Sequence, residues 1–181
     1  MKKLIIALLL VFILTPAAEA NPVDEAVKEL VDNTNKGCLS STMTVITRTG
    51  DTENIFKYVA LMPNSEVRQD IQLGLLSSQA ITQSLKFAVG RTRPRTGQDQ
   101  LKPFSGHKSF PSGHATGAFA IATAIAENYP DYKIYAYGWA TLVAVSRMYE
   151  DAHYFTDIVA GSAIGHYTTK YAMNLSFEWR F

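Results

Sequence analysis

Two apolar runs constrain this chain more than any other feature. Ala115 to Ala126 and Ile134 to Ser146 are uninterrupted for 12 and 13 residues, and both carry small residues such as Ala, Thr and Gly. A helical membrane crossing needs about 20 residues. Each run is too short for one, yet too apolar to lie wholly on a surface. They read as buried core helices of a bundle, and peripheral contact with a membrane is compatible with them. The surrounding pattern predicts further helices. One starts at Asn21-Pro22, ahead of VDEAVKELVD, where Pro suits the first helical position. A short one is capped by Asp51 and ends near Met62. A long one runs from Glu66 to Gly90, with Leu73, Leu76, Ala80 and Leu85 among its apolar positions. The two apolar runs extend to helices over 112–128 and 132–149, and Thr156 caps a last one reaching about Met173. Residues 33–50 show no clear periodicity, and the final six residues alternate as a short tail whose aromatics pack on the domain. With no repeat or linker, the expected fold class is all-α, a helical bundle.

The first 20 residues read as a secretory signal. Lys2 and Lys3 precede an apolar run from Leu4 to Leu14, and Ala18-Glu19-Ala20 offers small residues for cleavage. The expected organisation is therefore a signal peptide over 1–20 and a single domain over 21–181. Cleavage would leave 15 basic and 15 acidic residues. A chain of zero formal charge is a poor general binder of nucleic acid, which needs an excess of cations. An anion site must then be a local gathering of charge. The single cysteine, Cys38, excludes an internal disulfide and reads as a buried or half-buried thiol.

The longest stretch without helical pattern, roughly Arg91 to Phe110, is rich in Arg, Gly, Pro and Ser, and loops of this length are usually functional. Chemistry-bearing residues cluster around it. Lys86 precedes Arg93-Pro94, and Arg147 closes the run WATLVAVS. An arginine fork holds two phosphate oxygens, and lysine adds a point charge. Singly, each would pass for a solvated surface cation. Pro111-Ser112-Gly113-His114 opens a helix whose free N–H groups and dipole favour an anion. Ser112 offers a hydroxyl, Gly113 allows close approach, and His114 could protonate a leaving oxygen. His153 and Asp157 are four residues apart, so one helical turn can bring carboxylate to imidazole. A carboxylate on Nδ1–H leaves Nε2 free as a nucleophile. At this spacing an ordinary helix hydrogen bond or a pair of metal ligands is also possible. His166 reads as a packing residue and His107 as a surface-loop residue.

Taken together, Lys86 with Arg93-Pro94, then Pro111 to His114, then Ser146-Arg147 with His153 and Asp157, resemble the three signature motifs of the type 2 phosphatidic acid phosphatase superfamily. That superfamily includes class A nonspecific acid phosphatases, lipid phosphate phosphatases and vanadium haloperoxidases. The resemblance covers about residues 66–173. It implies a helical bundle of the acid phosphatase/vanadium-dependent haloperoxidase type, with the site at one end of its core helices. It implies that Lys86, Arg93, Ser112, Gly113 and Arg147 bind phosphate. His153, held by Asp157, attacks phosphorus to form a phosphohistidine, and His114 protonates the leaving alcohol and then activates water. No metal or other cofactor is implied.

The expected activity is that of an exported, periplasmic acid phosphatase acting on small phosphomonoesters. The alternative is a lipid phosphate or lipid pyrophosphate phosphatase at the membrane surface. A vanadate-dependent haloperoxidase and a non-catalytic phosphate-binding module are further alternatives. Glu150 and Asp151 depart from the family pattern, which more often has small or apolar residues there, and they are expected to point outward.

Overall fold

The computed structural model describes residues 21–34, 38–98 and 100–178, so the signal segment lies outside the described residues. Among these there are seven α-helices and no strand: α1 (Pro22–Thr34), α2 (Cys38–Thr49), α3 (Thr52–Ala60), α4 (Ser65–Val89), α5 (Gly113–Asn128), α6 (Lys133–Tyr149) and α7 (Phe155–Glu178). The all-α expectation holds.

Helix α5 is the axis of the bundle and packs against α4, α6 and α7. Its sequence explains why. Ala115, Ala118, Ala120, Ala122 and Ala124 are fully buried, along with Thr116 and Thr123. Side chains this small let neighbouring helices approach until backbone meets backbone. A Cβ on Gly161 of α7 would lie 2.4 Å from the carbonyl oxygen of Ser112, and one on Gly165 would lie 2.3 Å from that of Thr116. Only glycine fits at such a crossing.

The long helix α4 is capped by Asn64, whose side chain accepts from Glu66 N–H and Val67 N–H, and it ends at Gly90 in the left-handed conformation, φ 62°. Its buried stripe is Val67, Ile71, Gly74, Ser78, Thr82 and Lys86. Leu73, Leu76 and Ala80 instead face outward. The tight crossing with α7 demands small side chains, so the larger apolar ones stand on the other face. Helix α6 is likewise one-sided, with Ala136, Ala140, Val143 and Ala144 buried but Ile134 and Tyr135 exposed. The run read as a core helix thus contributes one face to the core and leaves the other exposed.

Three further expectations are corrected. Residues 38–49, which lack periodicity, form α2. Thr42 and Thr44 donate their hydroxyls to the carbonyls four residues back, at 2.9 and 3.2 Å, so β-branched polar residues are satisfied inside a helix. Cys38 begins that helix and is exposed rather than buried. Thr156 is not a cap but the second residue of α7, and the helix runs on to Glu178, into the segment read as a tail, whose last three residues lie outside the described residues. His166 is the packing residue expected, its Nδ1 within 2.8 Å of Tyr137 Oη and 3.0 Å of Thr123 Oγ1.

Because the core helices alternate in direction, the C-termini of α4 and α6 and the N-termini of α5 and α7 meet at one end. The α2–α3 junction lies there too, with a Cβ on Gly50 only 3.5 Å from the His114 ring.

Candidate active site

At this end a cleft of about 270 Å³ is lined by Lys86, Arg93, Lys108, Gly113, His114, Arg147 and His153, with Gly50, Thr52, Ile55, Gln79 and Gln83 completing the wall. Six of the eight residues singled out in the sequence line it. Asp157 stands directly behind His153, and Ser112 lies below the surface.

Lys86 reaches the cleft from the last turn of α4. It is nearly buried, and its ammonium donates to the carbonyls of Lys108 and Pro111 at 2.8 and 2.6 Å. Burial pushes its pKa down to about 8, with Asp157 opposing the fall and Arg93, Lys108 and Arg147 adding to it. Ser112 caps α5, accepting from Ala115 N–H at 3.4 Å, and is fully buried. The cap uses the oxygen only as an acceptor and leaves its O–H to donate. Gly113, next along, does line the cleft, and a Cβ there would stand 3.7 Å from Lys86 Cε.

His153 Nδ1 lies 3.5 Å from Asp157 Oδ2, long for a hydrogen bond and with no other partner for that nitrogen among the described residues. The ring thus turns Nδ1 toward the carboxylate and leaves Nε2 to the cleft. Burial lowers the His153 pKa to about 4, against the pull of Asp157. Burial also opposes ionisation of Asp157, but His153, Arg91 and Ser109 outweigh it and hold the carboxyl below its ordinary value. Ser109 Oγ donates to Asp157 Oδ2 at 2.6 Å, Tyr154 N–H donates at 3.0 Å, and Arg91 Nη1 donates to Oδ1 at 2.8 Å.

His114 pairs with Asp51, Nε2 to Oδ1 at 3.0 Å. Asp51 occupies the N-cap position of α3 without capping it, because its carboxylate turns to the imidazole. The His114 pKa is lowered, first by burial and then by Arg147, with Asp51 working the other way. Arg147 Nη1 is 2.5 Å from Glu150 Oε2. The expectation that Glu150 points away from the site is wrong. Asp151 does face away, toward Lys28 of α1 at 2.9 Å.

Sequence reasoning missed Asp51, Arg91, Ser109, Asp24 and Lys108. Arg91 carried a signal, two residues before Arg93 in one segment. Asp24 carried none, since its contact with Arg91 spans 67 residues.

A second cavity continues from the cleft. Thr52, Ile55, Gln79 and Gln83 belong to both. It is a groove of about 630 Å³ between α3 and α4, walled by Phe56, Val59, Leu75, Leu76 and Ala80. Phe56 and Leu76 are 68% and 73% exposed.

The comparisons agree with this geometry. A family profile described as the PAP2 superfamily matches residues 70–181. The chain belongs to the PAP2 superfamily. A lipid A 1-phosphatase from Rhizobium etli is 40% identical over 88 residues, 45% of this chain and 38% of that protein, so the chain spans well under half the length of this curated relative. Among solved structures, a transmembrane PAP2-type phosphatidylglycerolphosphate phosphatase from Bacillus subtilis superposes with a TM-score of 0.78 over 98% of both chains, at 23% identity. LpxE from Aquifex aeolicus gives a TM-score of 0.74 over 82% of this chain and 93% of its own, at 22% identity. These two likenesses concern the fold. No helix among the described residues is long and apolar enough to cross a membrane.

Proposed function

We propose that this chain is a phosphatase that removes the phosphate from a lipid phosphomonoester, working at a membrane surface. The observation that carries the reading is the continuity of the cationic cleft with the apolar groove between α3 and α4. A phosphate held by Lys86, Arg93 and Arg147 can keep its ester chain in that groove. The lipid A 1-phosphatase relatives support the same class, and so do the exposed Phe87 and Phe104. Phe87 follows Lys86 in sequence, and its ring meets that of Phe104 edge to face at 5.2 Å.

In the proposed reaction, His153 Nε2 attacks phosphorus while the bond to the alkoxy oxygen breaks. His114 gives its proton to that oxygen, and the alcohol leaves. Water then attacks the phosphohistidine and loses a proton to His114. The P–N bond breaks, freeing phosphate and restoring both imidazoles. The three cations stabilise charge on the transferring oxygens, and Asp157 steadies the positive ring of the intermediate.

The test compares phosphate release, with EDTA present, from dodecyl phosphate, phosphatidic acid in mixed micelles, and glycerol phosphate. The lipid reading expects kcat/KM to rise with chain length. It also expects Leu76→Glu, an exposed change in the groove, to lower kcat/KM on the long substrates only. Equal kcat/KM on all three would sink the lipid reading and leave an acid phosphatase of small esters.

A further inference from the structure

The carboxylate behind His153 belongs to a buried chain of charges that reaches the first helix. Arg91 is 3% exposed, and Asp24 on α1 is 2% exposed. Arg91 Nη2 donates to Asp24 Oδ2 at 2.9 Å, while Nη1 donates to Asp157 Oδ1 and to Thr156 Oγ1, both at 2.8 Å. Thr156 closes the ring by donating N–H and Oγ1 to the two oxygens of Asp24, at 2.8 and 2.7 Å. The guanidinium lies 3.9 Å over the Tyr154 ring.

The charges explain why Asp24 is needed. His153 must carry positive charge once it is phosphorylated, and Asp157 supplies the compensating negative charge. An arginine buried against Asp157 alone would cancel it. Asp24 takes the other half of the guanidinium fork, so the three groups together keep one net negative charge beside the imidazole. The same fork fixes Asp157 through Oδ1 and leaves Oδ2 facing His153.

We propose that Asp24 is a positioning residue for the nucleophile, acting through Arg91 and Asp157, and that α1 is thereby part of the reacting apparatus. This rests on His153 being the nucleophile. Helix α1 has other tethers that bypass the charge chain. Lys28 pairs with Asp151 at 2.9 Å, and Thr34 Oγ1 lies 3.1 Å from Tyr149 Oη. Loosening of the helix and loss of its charge are therefore separable.

The experiment uses Asp24→Asn and Lys28→Ala, each confirmed as folded by near-UV circular dichroism at the assay temperature. Two readouts are taken: kcat and KM for phosphate release, and equilibrium affinity for orthovanadate, which bonds to the attacking nitrogen without turnover. Asp24→Asn is expected to lower kcat and vanadate affinity about tenfold, the lower range for partners of a reacting ligand, with KM within about twofold. Lys28→Ala should change none of these beyond about twofold. A folded Asp24→Asn with wild-type kcat and vanadate affinity would overturn the proposal. So would equal losses in both variants, which would make Asp24 a mere strut. Should Asp24→Asn not fold, Arg91→Lys, which keeps the charge but not the fork, carries the same readouts; loss supports the proposal and wild-type values overturn it. Failure of the phosphatase reading looks different: no ester is turned over, while vanadate affinity still depends on Asp24.

Discussion

Glu150 holds Arg147 by one end, its Oε2 2.5 Å from Nη1, while the Nε of the same guanidinium is buried with no hydrogen-bond partner among the described residues. The arginine is thus partly engaged and partly open in the free protein. An incoming phosphate competes with Glu150 for the fork, and its dianion is repelled by the carboxylate. Glu150→Gln keeps the shape and removes the repulsion. It should lower KM for phosphate esters and tighten inhibition by inorganic phosphate. For a partly exposed pair worth about 1 kcal/mol, the change is roughly fivefold. Unchanged KM and phosphate inhibition constant would show that Glu150 swings clear before substrate arrives.

In the proposed reaction the two imidazoles set opposite limbs of the pH profile. His153 attacks only when neutral. With its pKa pushed down to about 4, attack is available above that pH and is lost as pH falls through it. His114 must carry a proton, and its pKa lies below the ordinary imidazole value, so activity is lost as pH rises through it. Lys86, with a pKa of about 8, stays charged across the whole window. The profile of kcat/KM should therefore be a bell on the acid side of neutrality. Asp51 supports the protonated form of His114, so Asp51→Asn should move the alkaline limb to lower pH and leave the acid limb in place. Substrate phosphate also ionises near pH 6, but it does so equally for both enzymes, and the displacement between the two profiles isolates His114. A coincident alkaline limb would mean that the 3.0 Å contact does not govern that proton.

The proposed division of labour between His114 and His153 predicts different dependence on the leaving group. Without His153 there is no nucleophile, so His153→Ala should abolish turnover of every ester. Without His114 the alcohol must leave as an alkoxide. His114→Ala should cost about 10²- to 10⁴-fold on an alkyl phosphate. It should cost far less on 4-nitrophenyl phosphate, whose phenolate leaves unprotonated. Equal losses on both esters, measured as kcat, would place His114 in binding instead of proton transfer.

The parts of the site that lie within one helical turn, or at a helix end, were legible in the sequence. His153 and Asp157 sit four apart, and Ser112-Gly113-His114 announce a helix start, so local geometry placed them. What stayed hidden is tertiary. Asp51 reads as a cap, and only the fold shows its carboxylate turned toward His114, 63 residues away. Asp24 reads as an ordinary acid in a first helical turn until Arg91 is seen against it. The fold followed the same rule. Capped helices such as α4 were plain, but α2 was not, because its threonines satisfy themselves in the helix and bury only Thr47, against Ser146 at 2.6 Å. The outward turn of Leu76 was equally unreadable, because the demand for small residues on the inner face of α4 comes from α7.

That demand gives a test of the core. A Cβ on Gly161 would stand 2.4 Å from the Ser112 carbonyl, 3.2 Å from Thr116 Oγ1 and 3.3 Å from Ala115 Cβ. The nearest atom is backbone, at the residue that caps α5, so α7 and α5 must part to admit a methyl. Gly161→Ala should destabilise the protein by about 1–3 kcal/mol, the usual cost of overpacking. It should also reduce kcat, because Gly113 and His114 begin the helix that is pushed. Gly138 on α6 is the control. Nothing lies within 4 Å of a Cβ there, so Gly138→Ala should leave kcat unchanged and raise stability by about 0.4–1 kcal/mol through the unfolded chain. Urea melts of the two variants should therefore move in opposite directions. If Gly161→Ala melts at the same urea concentration as Gly138→Ala, the helices do not meet as closely as these distances state.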